Sequence, residues 1–237
     1  MKYNMDLHTH SIAGGHAYST FEENVAAAYE KGLSVYGLSE HAPAMPGGPH
    51  MFFFGNLKVL PKEYKGMRIL KGCEANIVDL EGNLDLPDVL LAQLDYVIAS
   101  MHIPCVTTGT AKDNTDCLIR VMENPYVQII GHPDDARYPL EYERLVAAAK
   151  EKGVLLEVNN TSLSPVSVRT GGRENITTYL KLCKEMEVPV ILGTDSHFSQ
   201  HIGDFSNAEE VLKALDFPEE LVVNTSPEKL KKYIIKM

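Results

Sequence analysis

The chain has 237 residues, 44% of them apolar and 23% charged, which excludes a disordered or fibrous protein. Its 32 acidic against 22 basic side chains give a net charge of -10, so neither broad nucleic-acid binding nor attachment to an anionic membrane is expected. No run nears the roughly 18 apolar residues of a membrane helix, and the opening MKYNMDLHTH lacks the apolar core of a secretory signal. In chain order, strands are predicted at Tyr3–His8, Ser34–Ser39, Arg68–Ala75, Tyr96–Met101, Val127–Gly131, Val154–Val158 and Val190–Gly193, each a compact aliphatic or β-branched run. Helices are predicted between them at Thr20–Lys31, Ala111–Glu123, Glu141–Lys152 and Glu174–Met186. Thr20 with Glu23 forms a capping-box pattern, and Gly32 and Gly153 stand where helices should stop. Segment 42–65, with Pro43, Pro46, Gly47, Gly48 and Pro49 before Met51-Phe52-Phe53-Phe54, is a poor helix start. It reads either as a mobile flap or as a hydrophobic staple over the barrel mouth. Seven strands with helical crossovers and no linker predict one α/β domain over 1–237, built on a mainly parallel sheet.

The four cysteines, Cys73, Cys105, Cys117 and Cys183, stand singly, without metal-site or redox-pair spacing. They read as reduced thiols of a cytoplasmic protein. The histidines are more informative. His8-Thr9-His10 closes the first predicted strand, and residues two apart in an extended chain share a face. Asp195-Ser196-His197 closes the seventh with the same spacing, and in a closed barrel the first and last strands are neighbours. His41, Glu74, His102 and His132 lie at the ends of the second, third, fourth and fifth strands. One isolated histidine is ordinarily a structural residue bonded to backbone. Ligating side chains at nearly every C-terminal strand end instead describe the active-site face of a parallel barrel. With His16, nine side chains are available, enough for three divalent ions at about three protein ligands each. Imidazole and carboxylate without thiolate suit Zn2+, Mn2+ or Fe2+, and Zn2+ is the first expectation. Strand alternation turns Cys73 away from Glu74.

The motifs H-T-H at 8–10, the His16 loop, S-E-H-A at 39–42, G-C-E at 72–74, S-M-H at 100–102, G-H-P at 131–133 and T-D-S-H at 194–197 together resemble the PHP (polymerase and histidinol phosphatase) superfamily. Length and motif order look most like its small stand-alone bacterial phosphatases. The resemblance implies a distorted (β/α)7 TIM-like barrel with a trinuclear centre. One ion would take His8, His10, Glu74 and Asp195, a second Glu74, His102 and His132, and a third His16, His41 and His197.

The expected activity is hydrolysis of a phosphomonoester on a phosphorylated small molecule by a metal-activated hydroxide, with Asp195, Glu74 and His10 at the chemistry. Arg137, Arg169 and Arg173 are the candidate phosphate-binding residues, because a guanidinium matches phosphate with paired donors. His50 and His201 read as exposed or outlying residues, and Met45 and Met51 as packing. Ser100 and Ser196 lack triad spacing. Histidinol phosphatase and a nuclease or phosphodiesterase are the nearest alternatives, and a homo-oligomer is compatible with the sequence. An amidohydrolase is disfavoured, since the fourth strand carries no lysine, and a non-catalytic metal-binding module is the remaining rival.

Overall fold

Aliphatic alternation along the strands produces a barrel wall with two different faces. The computed structural model describes residues 1–234, so the last three residues of the expected 1–237 unit lie outside it. Its strands are β1 (Met5–Asp6), β2 (Val35–Leu38), β3 (Glu63–Tyr64), β4 (Met67–Asn76), β5 (Tyr96–Ser100), β6 (Ile129–Ile130), β7 (Leu155–Asn159) and β8 (Val190–Gly193). Seven run parallel in the order β1-β2-β4-β5-β6-β7-β8, and the short β3 pairs antiparallel with β4. The sheet curls until β8 meets β1. No ladder closes it among the described residues; a single bridge, Thr9 to Ser196, spans the seam.

Helices α1 (Phe21–Glu30), α2 (Met51–Asn56), α3 (Asp88–Leu91), α4 (Ala111–Val121), α5 (Tyr142–Lys152), α6 (Gly172–Met186), α7 (Ser206–Ala214) and α8 (Pro227–Leu230) connect or flank the strands. The expected capping box of Thr20 and Glu23 starts α1, and Gly153, in the left-handed region, ends α5. Outward residues such as Ile69, Cys73, Val97, Leu156 and Leu192 join the layer buried against the helices. Inward residues alternate with them: Leu70, Tyr96, Ile98, Ile129, Leu155 and Ile191 fill the barrel, and Val223, Leu230 and Ile234 of the C-terminal segment join this inner cluster. The same alternation sends Glu74 inward two pleats above Leu70. Tyr96 crosses the barrel interior and donates to the Leu7 carbonyl at 2.5 Å. Glycines make the room, because a Cβ on Gly37 would lie 2.4 Å from its hydroxyl and one on Gly72 2.6 Å from its ring.

Four readings of the sequence need correction. The first and fifth predicted strands are each shortened to two residues, and the sixth runs one residue further, to Asn159. Segment 42–65 does start a helix: the His50 side chain accepts the Phe52 N–H at 3.2 Å and caps α2. This arrangement buries Phe54 and leaves Phe52 exposed. Among the described residues, no helix is long and apolar enough to cross a membrane.

Candidate metal centre

At the C-terminal ends of the strands the inward side chains change from aliphatic to ligating. Glu74, fully buried near the end of β4, is the hub. Its Oε2 lies 2.7 Å from His41 Nδ1, 3.3 Å from His8 Nε2 and 3.5 Å from His10 Nε2. Its Oε1 lies 2.9 Å from His132 Nε2 and 3.2 Å from His102 Nε2. Asp195 reaches the same place from beyond β8, with Oδ1 3.2 Å from His10 Nε2 and 3.6 Å from His8 Nε2. His132 and Asp195 both take positive φ, 29° and 52°, so local backbone strain accompanies their placement.

Donor atoms this close ordinarily hydrogen-bond to one another. Here His8 Nε2, His10 Nε2, His41 Nδ1, Glu74 Oε2 and Asp195 Oδ1 are buried with no hydrogen-bond partner. The atoms face a shared point rather than each other. The four measured separations linking His8, His10, Glu74 and Asp195 run from 3.2 to 3.6 Å. A tetrahedron of ~2.0–2.1 Å bonds to nitrogen and oxygen has edges of about 3.3–3.4 Å. The donor set therefore fits a divalent cation.

Outward hydrogen bonds set the tautomers. His8 Nδ1 donates to Glu157 at 2.6 Å, His102 Nδ1 to Asn76 Oδ1 at 2.8 Å, His16 Nδ1 to the Gly14 carbonyl at 3.1 Å and His197 Nδ1 to the Asp195 carbonyl at 3.0 Å. Each bond leaves Nε2 with its lone pair free to bind a cation, the usual arrangement around a metal-ligating histidine. Charges agree for the two acids and for His10. At His8 burial opposes the charge, but Glu157, then Glu74 and Asp195, hold the pKa well above the ordinary imidazole value, so a cation at its Nε2 would displace a proton. Burial raises the Glu74 pKa, yet His8, His41 and His102 hold it well below the ordinary carboxylate value. Burial likewise opposes ionisation of Asp195, and Arg169, followed by His8, reverses the effect. Burial, reinforced by His41 and His197, keeps His10 neutral.

Three donor groups fall within 4.8 Å among the described residues: His8 with His10 and Glu74, His41 with Glu74 and His102, and His10 with His41 and His197. These groups hold six of the nine expected ligands, and Asp195 and His132 reach them through the contacts given above. Two groupings depart from expectation: His41 stands with Glu74 and His102 where His132 was expected, and the third set changes as well. His10 takes the place expected for His16, whose ring stacks 5.0 Å from His41 and 4.7 Å from His197. Exposure rises from Glu74 at the bottom to His197 and His16 at the mouth.

Above the centre opens a cavity of ≈ 650 Å³ whose lining includes His16, His197, Arg137, Arg169, Met45 and Val168. Arg169 Nη2 binds Asp195 Oδ2 at 2.7 Å, and its Nη1 reaches Asn159 and Ser162. Arg137 lies further out, with Nε and Nη2 engaged by Asp135. Arg173 is not brought here. Gly171 turns the chain at φ 69°, α6 begins, and Arg173 pairs instead with Glu210 at 3.5 Å. His201 lines the cavity, whereas His50 is committed to capping α2.

Sequence reasoning missed three residues of this region. Glu157 on β7 holds His8, Asn76 holds His102, and Glu40 accepts the Ser11 N–H at 2.6 Å beneath the loop carrying His16. The available signal was an acid or amide within a run otherwise fit for the core.

A family model described as the PHP domain matches residues 6–161. The chain belongs to the PHP domain family. That span of the PHP chain carries His8 to His132, and the fold adds Asp195 and His197 from beyond it. A Clostridium novyi protein named "Probable phosphatase" is 50% identical over 234 residues, 99% of this PHP chain and 95% of that one. A "Probable phosphatase" of Thermoanaerobacter pseudethanolicus is 47% identical over 235 residues, again covering 99% and 95%. Among solved structures, histidinol phosphate phosphatase of Lactococcus lactis, complexed with zinc, L-histidinol and phosphate, superimposes with a TM-score of 0.64. It is 19% identical and the match covers 91% of this chain and 95% of that one. At that identity the likeness establishes the shared barrel.

Proposed function

We propose that this PHP protein is a divalent-metal-dependent phosphatase that hydrolyses a phosphomonoester of a small molecule. The observation carrying the proposal is the set of buried donor atoms without hydrogen-bond partners beneath a cavity bordered by Arg169 and Arg137. The naming of relatives nearly half identical over the whole chain as probable phosphatases supports the same reaction.

In this reading His8, His10, Glu74 and Asp195 hold one ion and Glu74, His102 and His132 a second, while His41 and His197, with His10 or His16, hold a third. Bound divalent cations supply two things to such a reaction: they acidify water and offset the negative charge of a phosphate group. The protein's residues do the rest. Arg169 balances the Asp195 carboxylate and turns its guanidinium towards the cavity, where it orients phosphate oxygens. Arg137, fixed by Asp135 but with Nη1 not taken up by that carboxylate, meets the more distant part of the substrate. When His10 completes the third set, His16 at the mouth is left to carry a proton to the departing alcohol, and His197 stays a ligand. Glu74 and His10 lie too deep to meet substrate directly and act on the geometry of the centre.

The test is to incubate metal-loaded protein with an aryl phosphate, a dinucleotide, histidinol phosphate and a cyclic amide. Release of phosphate from a monoester, lost on chelation, is expected. Cleavage of the dinucleotide or amide alone would replace the reading, and turnover of none by fully metallated protein would overturn it.

A further inference from the structure

Glu157 is a buried acid at this end of the barrel, outside the expected ligand set, whose two oxygens are both committed to residues of the centre. It sits on β7 between Leu155 and Asn159, the inward positions, and is 1% exposed. Oε1 accepts the His8 Nδ1 proton at 2.6 Å. Oε2 accepts the His132 backbone N–H at 2.7 Å and the Asn159 amide at 3.1 Å. Asn159 in turn lies 3.3 Å from Asp195 Oδ2. One carboxylate therefore joins three strands of the rim and touches, directly or through one amide, ligands from opposite sides of the seam.

The wall is shaped to admit it. Gly193 ends β8 beside Glu157, and a Cβ there would lie 1.8 Å from Glu157 Oε1 and 2.9 Å from His8 Cβ. Ile191 pairs in register with Glu157, so the glycine two residues on leaves open the space through which the carboxylate reaches His8. The positive φ of His132 is held from the same carboxylate through its N–H.

We infer that Glu157 is a positioning residue that locks His8 in the tautomer with a ligating Nε2 and fixes the His132 turn, thereby coupling two metal positions. The inference rests on the metal-dependent reading above. A carboxylate is needed because both oxygens accept. In Glu157→Gln one of them becomes an NH2 group that faces either the His8 Nδ1–H or the His132 N–H, donor against donor.

The experiment uses full-length protein stripped of metal and titrated with zinc against a competing chelator, alongside 15N-resolved NMR of the histidine rings. For Glu157→Gln the expected result is zinc affinity weaker by about 10–100-fold and loss of the His8 Nδ1–H signature. Gly193→Ala, whose Cβ would crowd both the Glu157 carboxylate and the His8 Cβ while changing no charge and no ligand residue, should likewise weaken binding. Wild-type zinc affinity with an unchanged His8 tautomer in folded Glu157→Gln would overturn the inference, as would a lower metal-free melting temperature with unaltered affinity. Failure of the wild-type chain to bind any divalent ion would instead overturn the metal reading itself.

Discussion

Glu74→Gln tests the centre most directly, because its two oxygens face different donor groups. Oε2 meets His8, His10 and His41, whereas Oε1 meets His102 and His132. A ligand that binds only the folded state adds about 4.1 kcal/mol at a thousand times its Kd. For a chain of this length each kcal/mol moves Tm by about 2–4 °C, so one saturated site adds about 8–16 °C. The variant keeps the volume of the side chain but replaces one anionic oxygen with an NH2 donor. It should therefore lose at least one such increment and most of the bound zinc. Calorimetric melts of each protein with and without zinc, together with elemental analysis, measure both quantities, and the metal-free melts isolate any change in the fold itself. An equal zinc-induced shift and equal metal content in wild type and variant would refute the reasoning.

Chelation should abolish hydrolysis of an aryl phosphate, and added zinc or manganese should restore it; activity in protein shown to be metal-free would contradict this. Arg169→Met removes a charge-assisted contact worth about 1.5–3 kcal/mol, which predicts about a 10–150-fold loss in kcat/KM, measured by steady-state kinetics. Arg173→Ala, whose side chain pairs with Glu210 outside the cavity, should leave those kinetics unchanged. Thr110→Ala deletes the capping box that starts α4, so Tm should fall by about 2–4 °C for about 1 kcal/mol, with kcat/KM unaltered.

The centre was legible because its chemistry coincides with strand ends. His8 and His10 share a spacing that an extended chain converts into a shared face, whereas Asp195 and His197, with the same spacing, are turned inward past the end of β8 by the left-handed φ of Asp195. The two arginines around Gly171-Gly172 were not separable, because only the left-handed φ of Gly171 decides which enters the cavity and which starts a helix. Glu157 went unread for a different reason. It lies inside Leu155-Leu156-Glu157-Val158, where apolar neighbours advertise a buried strand and nothing local tells that the acid has a partner 149 positions earlier. Helix α2 was masked by the prolines and glycines before it, since its start depends on a histidine acting as cap rather than the Ser, Thr, Asp or Asn favoured there.

The seam between β8 and β1 gives the barrel an unusual closure. At its lower end Asn224 stitches the strands, donating to the carbonyls of Met5 and Leu192 and accepting the Leu192 N–H. Towards its upper end the Thr9–Ser196 bridge and the Thr194 bonds to Asp6 and the His8 carbonyl hold it, with His8 and His10 on one bank and Asp195 and His197 on the other. In the proposed holoenzyme the cations are then the clasp of the staves. Amides from Thr9 to Ser11 and from Thr194 to His197 should exchange with deuterium far faster once the ions are withdrawn, while those around Asn224 keep their protection.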